Sequence, residues 1–164
     1  MMAKSQMPAA EPRFMSRAIR EARKNLARLD GGPFGACIVK EGRVVAVARN
    51  TVLRHDATCH AEVNAIRKAS KKLRTHDLSG CEIYSTTEPC PMCFGAIHWA
   101  GIGTVYFGTD VRDAARTGFR ELRISNAQLK ALGRSRIRLV PGFMRRECLD
   151  LFEAWKALPG RESY

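Results

Sequence analysis

Between residues 14 and 29 the apolar side chains Phe14, Ala18, Ile19, Ala22, Leu26 and Leu29 recur at helical spacing, the pattern of a helix with one buried face. Gly31 and Gly32 supply its stop. The period then changes: "FGACIVKEGRVVAVARN" is two β-rich runs around Glu41 and Gly42, a hairpin by composition and spacing. Residues 51–58 form a polar loop that leads to His60, where a second helix begins and runs to about Leu73. A turn at "HDLSG", a strand at "CEIYST", a third helix from about Cys90 to Ala100 and a strand at "TVYFGT" follow. Beyond them the pattern loosens into a basic stretch from Val111 to Arg123, a short helix near Ala127–Leu132, a strand "RIRLV" and a last helix from about Arg146 to Leu158. Strands alternating with helices predict a helix-covered sheet that is at least partly parallel. Because the order opens with a hairpin, the sheet should be mixed. Residues 1–12 carry two prolines and little apolar periodicity and read as a mobile tail, which leaves 13–164 as a single domain without repeats or linkers.

Composition narrows the class. A chain of 164 residues with 45% hydrophobic content can bury a core of its own. No window approaches the ~20 apolar residues of a membrane span, and "MMAKSQMPAAEPR" lacks the apolar core of a secretory signal. No membrane association and a cytoplasmic location are therefore expected. Of the six cysteines only Cys90 and Cys93 stand close enough to share a task, and a disulfide framework is not expected. Cys37, Cys81 and Cys148 sit in apolar patterns and read as core, Cys59 as a small packing residue, and His55, His76 and His98 as solvated or hydrogen-bonded. The formal charge of +12 would concentrate polyanions at the surface, but the positive residues are scattered and not gathered in one run.

Two short stretches carry the chemistry. "TCHAEVNAI" places His60 and Glu62 at the head of the second helix, and "EPCPMC" places Cys90 and Cys93 at the head of the third. Thiolates at the positive end of a helix dipole are depressed in pKa and prepared for metal. With His60 as third ligand, two sulfurs and one nitrogen leave a tetrahedral position free, the mark of a catalytic zinc site. Glu62 is then a carboxylate beside the metal, placed to take a proton from bound water and return it to substrate. A CxxC alone, or an HAE alone, is weak evidence. In order, each following an extended segment and opening a helix, they are specific.

On these motifs, H-x-E followed by P-C-x-x-C, the chain resembles the cytidine and deoxycytidylate deaminase superfamily. "HAEVNAIRKA" and "EPCPMCFGAIHWA" are most similar to bacterial guanine deaminases and plant guanosine deaminases. The likeness runs from about Gly31 to Phe119 and resumes in "LFEAW" and at the chain end. It implies a three-layer α/β/α sandwich with a mixed five-stranded sheet. It also implies one zinc per subunit on His60, Cys90 and Cys93 with a bound water as fourth ligand, and Glu62 as proton shuttle. Around the substrate it places Asn50, Ala61, Trp99 and Tyr164. It further implies a homodimer, in some members with the C-terminal segment exchanged.

The shared core does not choose a substrate. "GGPFGA", "TGFREL" and the terminal "RESY" resemble guanine deaminases and imply conversion of guanine to xanthine and ammonia. In "TGFREL" the family has two acidic residues, of which Glu121 keeps the second while Arg120 replaces the first. Guanine's C2 lies between two ring nitrogens and carries the leaving amino group, so a second acid beside Glu62 has a use, and Glu121 is the candidate. "RHDATCHAE" and the charge resemble tRNA wobble adenosine deaminases instead, although their Lys-Thr-Gly-Ala segment is replaced here by "DVRDAARTGFREL". Cytosine, another aminopurine or an aminotriazine is a further alternative substrate. A non-catalytic zinc module binding RNA is the alternative from another class, and Glu62 argues against it.

Overall fold

In a computed structural model, which describes residues 10–164, Pro12 opens helix α1 (Pro12–Arg23) at the one helical position where its missing N–H costs nothing. The mobile tail expected over residues 1–12 lies, up to residue 9, outside the described residues, whereas Glu11 is already the cap of α1. The single helix expected over residues 14–29 is two pieces, α1 and a short α2 (Asn25–Arg28). It stops at Leu29, which takes the left-handed conformation with φ 54°, before either glycine is reached. Gly31 and Gly32 serve close approach instead. A Cβ on Gly31 would lie 2.1 Å from Asn50 Oδ1, and one on Gly32 would strike the rings of Phe34 and Phe119.

The hairpin forms as expected from β1 (Gly35–Lys40) and β2 (Arg43–Arg49). Glu41 and Gly42 both adopt positive φ, 49° and 70°, as a two-residue turn matched to strand twist requires. Then come α3 (Ala61–Leu73), β3 (Cys81–Thr87), α4 (Pro91–Trp99) and β4 (Thr104–Thr109). The basic stretch after β4 contains a helix that periodicity missed, α5 (Val111–Arg116), fixed by a reciprocal capping box between Asp110 and Asp113. It was hidden because one of its inward residues, Asp113, is charged. That carboxylate is buried and held by Arg116 and by the Nη1 and Nη2 groups of Arg145. α6 (Asn126–Leu132), a β5 of only three residues (Arg138–Val140) and α7 (Arg145–Lys156) complete the chain.

The sheet order is β2-β1-β3-β4-β5, with β1 antiparallel to both neighbours and the β3/β4 and β4/β5 pairs parallel. Strand side chains alternate between two faces. Ala36, Ile38, Ile83, Val105 and Phe107 pack with Ala61, Ala65 and Ala69 of α3 and Phe94 and Ile97 of α4. Cys37, Val39, Tyr84 and Tyr106 pack with Phe14, Met15, Ala18 and Ile19 of α1 and Cys148 and Leu151 of α7. The three layers follow directly. Edge strand β2 is covered by ammonium groups: Lys68 Nζ donates to Val47 O at 3.0 Å and Lys72 Nζ to Val45 O at 3.1 Å, a charge guard against strand addition. Cys37, Cys81 and Cys148 are free and buried, as their apolar settings predicted. Among the described residues no helix is long and apolar enough to cross a membrane.

Candidate active site

His60 and Cys90 play the same local part. Each is the extended residue that precedes a helix, His60 before α3 (φ −65°, ψ 157°) and Cys90 before α4 (φ −64°, ψ 168°). Because β2 and β3 are each antiparallel to β1 and so run the same way, α3, which follows β2, and α4, which follows β3, both start at the carboxyl end of β3, and their positive dipole ends converge. His60 Nδ1 lies 3.5 Å from Cys90 Sγ, and one ligand atom from each of His60, Cys90 and Cys93 lies within 4.8 Å of the others. Tetrahedral zinc with bonds of about 2.0–2.3 Å needs ligand atoms about 3.3–3.8 Å apart, so small adjustments bring this donor set to the metal. A hydrogen bond from Cys93 brings the Cys90 thiol down to about 4, assisted by His60 and opposed by burial.

Glu62, one residue into α3 from Ala61, is only 6% exposed. Ser85 on β3 donates to its Oε1 at 2.7 Å, and its Oε2 lies 3.4 Å from Cys93 Sγ. Burial pushes this carboxyl up, toward the range where an acid can both accept and return a proton. A cavity of about 350 Å³ opens over these groups, and His60, Glu62, Cys90, Asn50, Glu121 and Tyr164 all line it. Phe34 and Phe119 supply its apolar wall, edge to face with centroids 4.8 Å apart.

Glu121 makes no ion pair with Arg120 or Arg123 among the described residues. Burial first, then the nearby charge of Cys90, pushes its carboxyl up to about 7. Tyr164 folds onto the cavity. Its hydroxyl donates to Asn50 Oδ1 at 2.6 Å and accepts from Gly32 N at 3.0 Å, and its carbonyl accepts from Arg120 N at 2.9 Å. Burial pushes the phenol up to about 12, so it stays a neutral donor. Asn50 Oδ1 also accepts from Val52 N at 3.0 Å.

Two residues expected at the substrate lie elsewhere. Trp99 is the last residue of α4 and 86% exposed, outside the cavity; an aromatic beside a motif helix can as easily face outward from its far end. Ala61 is buried with its methyl in the core. Conversely, Glu88 was missed. Its buried carboxylate accepts from Asn126 N at 2.7 Å and Val111 N at 3.3 Å, which ties the heads of α5 and α6 to the turn before Cys90 and so fixes both ends of the segment bearing Glu121. A charged residue directly before Pro89-Cys90 was the available signal.

The comparisons bear on this geometry. Residues 9–109, more than half of the chain, match the cytidine and deoxycytidylate deaminase zinc-binding region. The chain belongs to that family. Guanine deaminase of Bacillus subtilis is 39% identical over 92% of this chain and 97% of its own length. The solved guanine deaminase of Nitrosomonas europaea superposes with a TM-score of 0.83 at 30% identity, covering 93% of this chain and 88% of that one. A tRNA-specific adenosine deaminase of Aquifex aeolicus is 43% identical, over 57% of this chain and 62% of its length. The protein is thus a zinc-dependent hydrolytic deaminase of nucleobase chemistry, and its His60, Cys90 and Cys93 are a donor set that could hold the metal. Zinc in such a site supplies Lewis-acid activation of water near neutral pH.

Proposed function

We propose that this deaminase converts guanine to xanthine and ammonia. The observation that carries the reading is the second carboxyl: Glu121, held protonated to about pH 7, shares one cavity with Glu62. Hydrolysis at C2 forms a C–O bond and breaks the C–N bond to the amino group, so the attacking water gives up both its protons, one ending on the ring and one on the departing nitrogen. Glu62, anchored by Ser85, takes the water's proton and passes it to the ring. Glu121 fixes the base through its N–H donors, protonates the leaving nitrogen, and recovers its proton from the new C2 hydroxyl as the carbonyl forms and ammonia departs. Asn50 commits its Oδ1 to Tyr164 and Val52, so its amide N–H groups are left to face an acceptor edge of the purine. Phe34 and Phe119 exclude water from the ring. A cytoplasmic homodimer belongs to this reading, and sedimentation tests the assembly.

A second reading, deamination of a wobble adenosine in tRNA, is favoured by one observation. Beside Glu121 lies a further cavity lined by Arg112, Arg116 and Arg123, side chains suited to phosphate. Ammonia release by the zinc-loaded protein, measured against guanine, guanosine, cytosine, adenine and a wobble-adenosine stem-loop, separates the readings. Turnover of guanine is expected; turnover of the stem-loop with none of guanine overturns the proposal.

A further inference from the structure

We infer that Asn25, which lies outside the cavity, is a positioning residue for it: its side chain holds the Gly32 and Asn50 backbones from which the Asn50–Tyr164 pair is hung. This deepens the guanine reading and rests on it for its kinetic arm. Asn25 is fully buried in α2. Its Nδ2 donates to Gly32 O and to Asn50 O, each at 2.8 Å, so both amide hydrogens are spent on two segments 7 and 25 residues away along the chain. Gly32 N donates to the Tyr164 hydroxyl, which donates to Asn50 Oδ1. Asn25, Gly32, Tyr164 and Asn50 are therefore joined in a closed circuit of hydrogen bonds and the short pieces of chain between them.

The orientation of Asn25 is itself imposed. Its Oδ1 accepts from Arg49 Nε at 3.0 Å, and the same guanidinium donates through Nη1 to Glu21 at 3.2 Å and through Nη2 to Asp30 at 2.7 Å. A flipped Asn25 would set its amide against Arg49 and its oxygen against two carbonyls. With the circuit closed, Gly31 runs so near Asn50 that no side chain fits between them. Loss of Asn25 frees both strands of this approach at once, and with them the group facing the base.

The test compares Asn25→Ala with wild type in two measurements on the zinc-loaded full chain: release of Tyr164 by carboxypeptidase, and KM against kcat for guanine. Release about tenfold faster and a KM raised about tenfold are expected, the net worth of about one hydrogen bond reaching the Asn50–Tyr164 pair out of the three the variant loses, with kcat and zinc content unchanged. Ile102→Val, a buried change outside the cavity, controls for stability alone and should move neither. Where Asn25→Ala does not fold, Arg49→Lys takes its place: it keeps a cation opposite Glu21 and Asp30 but removes the Nε donor, and should move both readouts in the same direction. Release and KM equal to those of wild type, or changes wholly accounted for by a smaller folded fraction, would overturn the inference. If wild type leaves guanine unchanged, the substrate reading fails while Tyr164 release still decides the positioning.

Discussion

Replacing Glu121 by glutamine removes a proton donor while keeping shape and a hydrogen-bonding amide. A positioned acid or base contributes about 10²–10⁴ in rate. Because the amide can still hold the base, we expect a loss of at least about tenfold in kcat/KM for guanine, or about 1.4 kcal/mol on the barrier. The same structure predicts the opposite sign for stability. Burial raises the folded carboxyl from 4.5 to about 7, so the folded state binds the extra proton between those values and stability falls as pH rises through them. Below about 4.5 both states are protonated and the substitution should be neutral; above about 7 the whole burden is present and glutamine relieves it. The assay is ammonia release at limiting and saturating guanine, paired with thermal melts at pH 4.5 and 8. Lower activity with a melting temperature at pH 8 equal to or above wild type is the expected result. Unchanged turnover would make Glu121 a surface charge, and a lower melting temperature at pH 8 would show that the carboxylate is paired in a way the structure does not contain.

Gly31→Ala sets a methyl 2.1 Å from Asn50 Oδ1, and should raise KM for guanine while zinc content by atomic absorption stays unchanged. Asp113 is pushed up by burial, but Arg145, the Asp110 N–H and Arg116 outweigh it and hold the carboxyl below its ordinary 3.8. Its stabilisation is therefore complete above that value and lost as pH falls through the lower folded one, so acid melts of wild type should steepen below pH 4 while those of Asp113→Asn stay flatter. Asp113→Ala should cost about 2 kcal/mol, under the figure for a fully buried pair because Arg145 is partly exposed. That corresponds to a fall of roughly 4–8 °C in a chain of this size, read by calorimetry.

What could be read from the chain alone was whatever is written in short range. His60, Glu62, Cys90 and Cys93 were legible because each metal motif sits at a helix head within a few residues of its partners, and the central strands because they are short runs rich in β-branched and aromatic residues bounded by turn signals. α5 was not, since its inward face carries Asp113, an acid neutralised by Arg145 from another helix. Gly31 and Gly32 were read as a helix stop because a turn is the local use of glycine, whereas their function is close contact with Asn50 and Phe119. Asn25 had no signal at all: one polar residue on a helix reads as a solvated position, and its partners lie in the loop at Gly32 and at the end of β2. Tyr164 was accessible only through resemblance, and only the fold shows how its hydroxyl comes to stand between Gly32 and Asn50 at the cavity.

The central claim is that Glu62 moves the proton without holding the metal. Zinc stoichiometry and guanine turnover of Glu62→Ala, measured together on one preparation, test it most directly. One zinc per chain retained, with turnover reduced at least about a hundredfold, is the predicted result. Activity within a few fold of wild type, or zinc lost along with the carboxylate, would contradict it.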